Sequence, residues 1–252
     1  MSDPFSLAGK RILVTGANTG IGQGIAVSIA RAGGAVVGVG RSSMHDTAEK
    51  VAAVGGQFEA VGADLADTAA AGPLLDRLWN ESGALDGLVN NAGIIRRADA
   101  VDLSEADWDD VMDVNLKTVF LLCQSFARRV LAAERKGKIV NIASVLSFQG
   151  GIRVASYTAS KHGVLGITRL LACEWAAKGI NVNAIAPGYI ETNNTQPLRA
   201  DPDRSAAILA RIPAGRWGEA GDIGDAAVFL LAPASNYMHG AVVPVDGGWL
   251  AR

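Results

Sequence analysis

The chain has 252 residues, 49% of them hydrophobic and 19% charged, a balance that excludes a disordered polypeptide and supplies ample material for a core. A net charge of −2 leaves no basic footprint for nucleic acid. No run reaches the ~18 uninterrupted apolar residues of a membrane span, and the first residues lack a secretory apolar stretch, so a cytoplasmic protein is expected with no membrane partner.

Taken in chain order, short β-branched runs alternate with longer amphipathic ones. The pattern predicts strands over 11–15, 35–39, 58–62, 87–89, 137–143, 181–186 and 242–245. Helices are predicted over 21–32, 47–54, 69–82, 108–131, 157–178 and 222–232. Several strands are apolar on both faces, as a parallel sheet buried under helices requires. With no break in composition, residues 1–252 read as one α/β domain, doubly wound around a seven-stranded parallel sheet. Residues 189–218 are the least regular, with Asn193, Asn194, Pro197, Pro202, Pro213 and Gly215. They are expected to form a substrate lid, a plain surface excursion being the alternative.

Cys123 and Cys173 have no disulfide or zinc spacing, and both fall in apolar helical stretches where core packing is expected. His45, His162 and His239 are scattered without ligand partners, so no metal is expected.

The first strand runs into the first helix through Gly16-Ala-Asn-Thr-Gly20-Ile-Gly22. Glycines permit a sharp bend and close backbone approach, and a helix N-terminus offers N–H groups to a pyrophosphate. Gly16, Asn18, Thr19, Gly20, Ile21 and Gly22 are therefore candidate dinucleotide contacts, with Asn18 and Thr19 able to tie the turn by side-chain hydrogen bonds. At the end of the second strand, where an acidic residue would accept from the ribose of NAD, Gly40 stands, followed by Arg41 and Ser42. Arg41 leans toward NADP, since a guanidinium pairs with a 2′-phosphate; the alternative is a solvated arginine with NAD. Asp64, followed by Leu65, can accept from an adenine amino group or cap the next helix.

Tyr157 and Lys161 lie four apart on a predicted helix and so share a face. A nearby cation favours the phenolate, which makes Tyr157 a candidate general acid–base. Ser144, at the end of the fifth strand, can donate to a substrate oxygen. Asn115 is a polar residue inside a predicted helix, read either as the holder of a water leading to Lys161 or as a locally satisfied group. Asn90-Asn91-Ala92-Gly93 closes the fourth strand and Pro187-Gly188 the sixth, with Ile190 and Thr192 beyond. All these segments fall at carboxyl ends of strands, where open α/β sheets bind ligands.

Together these motifs resemble the classical short-chain dehydrogenase/reductase family, over nearly the whole chain. The resemblance implies a Rossmann-type domain, hydride exchange with NAD(P)(H), and a tetrad of Asn115, Ser144, Tyr157 and Lys161. In that tetrad Tyr157 exchanges the proton, Ser144 polarises the substrate oxygen, Lys161 binds the nicotinamide ribose and lowers the phenol pKa, and Asn115 anchors a relay water. Asn91, Ala92, Gly93, Pro187, Gly188, Ile190 and Thr192 would line the coenzyme site. A narrower resemblance, to the 2-deoxy-D-gluconate dehydrogenase branch, rests on Gly93–Arg97, Ser144–Val154, Tyr189–Arg199, 212–218 and Asp246–Arg252. It implies a deoxy or keto sugar acid as substrate, NAD as the usual coenzyme, and a homotetramer. A polyol carboxylate would suit Ser144, Ser147, Gln149, Tyr157 and the guanidinium of Arg97 or Arg153, with Arg96 nearby and Trp249 as a pocket wall. The alternatives are reduction of another carbonyl, such as a 3-oxoacyl thioester or sugar alcohol, and an inactive nucleotide-binding protein. The last would be marked by loss of Tyr157 or Lys161, and both are present.

Overall fold

Seven apolar runs become strands: β1 (Arg11–Thr15), β2 (Ala35–Gly40), β3 (Phe58–Gly62), β4 (Gly87–Asn90), β5 (Gly137–Ile142), β6 (Ile180–Pro187) and β7 (Val242–Val245). They pair in parallel in the order β3-β2-β1-β4-β5-β6-β7, forming a single Rossmann-type α/β domain. The structure is a computed structural model that describes residues 3–252. The order reverses between β1 and β4, and successive crossovers there leave to opposite faces, which opens a crevice beyond the strand ends.

The helices are α1 (Gly20–Arg31), α2 (His45–Ala53), α3 (Ala71–Ser82), α4 (Glu105–Met112), α5 (Thr118–Ala132), α6 (Ala155–Trp175), α7 (Gln196–Ala200), α8 (Pro202–Leu209) and α9 (Ala220–Leu231). Side chains alternate across the sheet, and both faces are dry. Ile12, Val14, Val36, Val89 and Val140 pack under α1, α2 and α9, against Ile25, Ile29, Val51 and Ile223. Leu13, Val37, Leu88 and Ile139 face the other way, under α3, α5 and α6, against Leu75, Leu78, Phe126 and Leu171. This two-sided burial is why the central strands β1, β2 and β4 are apolar over most of their length, whereas the edge strand β3 exposes Glu59.

Three expectations about the elements are corrected. The helix predicted over 108–131 is two helices joined by a π turn at Asp113–Lys117, with Asn115 inside it. The 189–218 region is not irregular: it contains α7 and α8. Pro197 and Pro202 sit in the first turns of those helices, where a missing N–H costs nothing, and Asp201 caps α8 through the amides of Asp203 and Arg204. Asp67 caps the short 3-10 turn Thr68–Ala70 that leads into α3, accepting from the Ala69 amide; Asp64 instead accepts from the Ala66 amide in a tight local turn. Of the cysteines, Cys123 is buried as expected, whereas Cys173 is on the exposed side of α6. No helix among the described residues is long and apolar enough to cross a membrane.

Candidate active site

At the β1–α1 turn, Gly16 and Gly20 adopt left-handed backbone, with φ of 66° and 56°. A Cβ on Gly22 would stand 2.1 Å from the Gly16 carbonyl oxygen, so no side chain fits there. Thr19 takes the N-cap position of α1 with extended backbone and gives no side-chain cap, leaving first-turn amides for an anion. Asn18 does tie the turn, donating to Ser42 Oγ at 2.6 Å. Asn91 closes the switch point by donating to the carbonyls of Thr15 (2.9 Å) and Gly16 (3.2 Å), while the Thr15 hydroxyl accepts from the Asn91 and Ala92 amides. The preceding Asn90 points into the core instead, donating to Asn141 and Cys123.

The turn floors a cleft of about 660 Å³ along the carboxyl ends of the strands. Every residue expected to contact a dinucleotide lines it: the Gly16–Gly22 turn, Arg41 and Ser42 after β2, Asp64 and Leu65 after β3, and Asn91 to Gly93 after β4. Pro187, Gly188, Ile190 and Thr192 line its far side, with Tyr157 and Lys161. Arg41 stands 3.8 Å from Asp64 with both side chains mostly in solvent, so each remains available to a ligand. A glycine floor that a Cβ would fill, uncapped amides and an exposed guanidinium fit a nicotinamide dinucleotide.

Tyr157 and Lys161 meet on the inner face of α6, with Lys161 Nζ 5.6 Å from the phenol ring centroid. Nζ donates to the Ile142 carbonyl at 2.6 Å, at the end of β5. Burial lowers the Lys161 ammonium to about 8. Burial also pushes the Tyr157 phenol up, against the opposing pull of the Ser144 hydroxyl and the Arg97 charge. The expectation of a phenol below its ordinary value is therefore not met in the protein alone, because desolvation outweighs these stabilising contacts.

Ser144 caps the short turn after β5, accepting from the Leu146 amide at 3.1 Å. Ser147, expected to touch substrate, is turned inward. Its Oγ accepts from the Ser144 amide at 3.2 Å and donates to the Lys161 carbonyl at 2.8 Å. Asn115 is fully buried, with Oδ1 accepting from the Ile94 amide (2.8 Å) and Nδ2 donating to the Ile94 carbonyl (2.9 Å) and toward Ser160 Oγ (3.3 Å). Its side chain is thus locally satisfied. Asn115 lies in the π turn, a local widening of the helix that occurs mostly at functional sites.

A family model described as Enoyl-(Acyl carrier protein) reductase matches residues 16–250. The chain belongs to the short-chain dehydrogenase/reductase family. It is an NAD(P)-dependent oxidoreductase acting between CH–OH and C=O groups. A 2-dehydro-3-deoxy-D-gluconate 5-dehydrogenase of Dickeya dadantii (strain 3937) is 58% identical over 98% of this chain and 98% of its own. The NADP-bound crystal structure of an Agrobacterium tumefaciens protein assigned as a 2-deoxy-D-gluconate 3-dehydrogenase is 62% identical, with a TM-score of 0.95 and full coverage of both chains. A Beutenbergia cavernae structure assigned as an NAD(P)-dependent gluconate 5-dehydrogenase, with NADP at low occupancy, is 52% identical. It has a TM-score of 0.95 and covers 99% of this chain and 100% of its own.

In this short-chain dehydrogenase/reductase the candidate substrate residues divide. Ser144 and Tyr157 line the cleft. Gln149 is half-buried on the turn before α6, outside the cleft lining. Arg153, in left-handed backbone with φ of 63°, pairs with Asp99 at 3.2 Å in solvent. Arg96 lines the cleft but is held by Asp107 and Asp110. Arg97 is exposed and outside the cleft lining, with its charge reaching Tyr157. Trp249 is buried among Val145, Ile208, Ile212 and Trp217, behind the cleft rather than in it. Sequence reasoning missed the backbone of Ile94 and Ile142, Ser160, and the lining by Asp110 and Thr195. Only the Thr192-Asn-Asn-Thr195 spacing, a capping pattern, signalled any of these.

Proposed function

We propose that this enzyme interconverts a secondary hydroxyl and a ketone on a deoxy or keto sugar acid, with NADP(H) as the preferred coenzyme. The observation that carries the substrate reading is the 58% identity, over nearly the whole of both chains, to a 2-dehydro-3-deoxy-D-gluconate 5-dehydrogenase. Arg97 supports it. Among the described residues no carboxylate pairs with it, unlike Arg96 and Arg153, and its charge already reaches the phenol. A guanidinium so placed suits a substrate carboxylate. NADP is supported by exposed Arg41 and by the NADP bound in the Agrobacterium tumefaciens relative.

When bound, the coenzyme would supply a nicotinamide ring to accept or give the hydride. The Gly16–Gly22 turn would hold its pyrophosphate, Asp64 its adenine, and Lys161 its nicotinamide ribose. Tyr157 takes the proton of the substrate hydroxyl in oxidation and returns it to the carbonyl oxygen in reduction. Ser144 hydrogen-bonds the same oxygen and stabilises charge developing there. Lys161, fixed on the Ile142 carbonyl, keeps a cation against the phenol. The π turn at Asn115 supplies the backbone group for a relay water toward Lys161. Residues 189–218 form the substrate lid through α7 and α8. The enzyme works as a cytoplasmic homotetramer in this reading.

The test is initial-rate oxidation of 2-deoxy-D-gluconate and of 2-dehydro-3-deoxy-D-gluconate, each with both coenzymes. Turnover of either acid, faster with the NADP pair, is the expected result. Activity confined to an acyl thioester or a neutral sugar alcohol would sink the substrate reading and leave the tetrad standing.

A further inference from the structure

Thr192, Asn193, Asn194 and Thr195 line the cleft as one strap. Thr192 Cγ2 comes within 3.2 Å of where a Cβ on Gly20 would stand, so the strap closes directly onto the glycine turn. Its lower end is firmly fastened. Ile190 bridges Gly218, the Glu191 amide donates to the Gly218 carbonyl at 2.8 Å, and Thr195 Oγ1 donates to the Ile190 carbonyl at 2.7 Å.

The crest of the strap has a different fastening. Arg199, on α7, reaches back with Nη2 to the Thr192 carbonyl (3.4 Å) and with Nη1 to Glu191 (3.3 Å). Both contacts are long, and Nε is buried with no partner among the described residues. A half-exposed ion pair contributes little, whereas a buried donor left unmet is costly. Within the strap Thr195 holds the Thr192 amide and carbonyl, each at 3.1 Å, so Arg199 is the side chain that ties this crest to α7, and its own hydrogen bonding is incomplete, the arrangement expected of a segment that opens and closes at low cost.

We infer that Arg199 is a positioning residue that sets how long the 192–195 strap stays closed over the bound coenzyme, and so sets the coenzyme release rate. This rests on the coenzyme reading of the cleft. Arg199 touches the strap and not the reacting atoms, so its loss acts on dissociation before it acts on chemistry.

The experiment is stopped-flow displacement of NADPH, followed by its fluorescence, with steady-state kinetics on wild type, Arg199→Ala, Arg199→Lys and Glu191→Gln. Arg199→Ala is expected to raise the dissociation rate and Kd about five- to twentyfold, the loss of one charge-assisted hydrogen bond, with kcat held or increased at saturating coenzyme. Arg199→Lys should recover part of this, since an ammonium reaches one acceptor where the fork reaches two. Glu191→Gln should change the rate by less than about threefold. Wild-type-like dissociation in Arg199→Ala overturns the proposal. So does a fall in kcat that tracks a lowered Tm and is not relieved by lysine, the pattern of a merely structural residue. Failure of the wild type to bind either coenzyme would instead overturn the cleft reading itself.

Discussion

Asn115 holds both backbone polar groups of Ile94, accepting from its amide at 2.8 Å and donating to its carbonyl at 2.9 Å. The same amide nitrogen lies 3.3 Å from Ser160 Oγ, which donates to the Tyr157 carbonyl at 2.8 Å. One buried side chain thereby connects the cleft wall after β4 to the turn of α6 that carries Tyr157. Asn115→Asp keeps the shape but sets a carboxylate oxygen against the Ile94 carbonyl. The expected outcome is a stability loss of about 1–3 kcal/mol, read as a fall in the denaturant midpoint, with kcat reduced at least about tenfold. Unchanged kcat would remove Asn115 from the machinery.

Ser147 supports Ser144 and Lys161 rather than substrate. Ser147→Ala strips the Ser144 amide and the Lys161 carbonyl of a shared partner. Expected are a drop in kcat of about tenfold and a lower Tm, with KM for the sugar acid unchanged. A selective rise in KM would restore Ser147 to substrate contact.

Gly22→Ala places a methyl 2.1 Å from a backbone oxygen that has no room to move. The glycine turn must then reshape, and calorimetric titration should show coenzyme affinity down about a hundredfold or more while circular dichroism stays native. Affinity within threefold of wild type would contradict the close approach.

Tyr157→Phe removes the hydroxyl proposed to carry the proton and little else. Turnover should fall by about 10²–10⁴ with coenzyme Kd within about threefold. Loss of coenzyme binding would give Tyr157 a different role.

Stability should rise with pH in an alkaline window. The folded Lys161 and Lys138 ammonium groups lose their protons near about 8, against 10.5 in an exposed lysine, because burial disfavours the charge. Between these values the unfolded chain binds more protons than the folded one, so unfolding becomes less favourable as pH rises. Tyr157 acts in the opposite sense above about pH 10, since its raised phenol keeps a proton that the unfolded chain releases. Denaturant midpoints measured from pH 7.5 to 10 should therefore increase, and the increase should shrink in Lys138→Met. A flat profile in wild type would mean that water reaches both lysines.

The seven strands of the sheet and the segments that line the cleft were legible because they depend on short-range spacing. Runs apolar on both faces name buried parallel strands, the Gly16, Gly20 and Gly22 pattern names a turn that only glycine can make, and Tyr157 and Lys161 share a helix face by being four apart. Other features depend on partners brought close only by folding. The sequence held no sign that Ser147 would turn under Lys161, or that Arg153 would be taken by Asp99 and Arg96 by Asp107 and Asp110 while Arg97 stayed free of such a pair. Pro197 and Pro202 read as breaks, yet each sits in the first turn of a helix, the second of them capped by Asp201. Backbone conformation and same-face neighbours are set within a few residues. The reach of a long charged side chain is settled by whichever opposite charge the tertiary structure brings within about 4 Å of it.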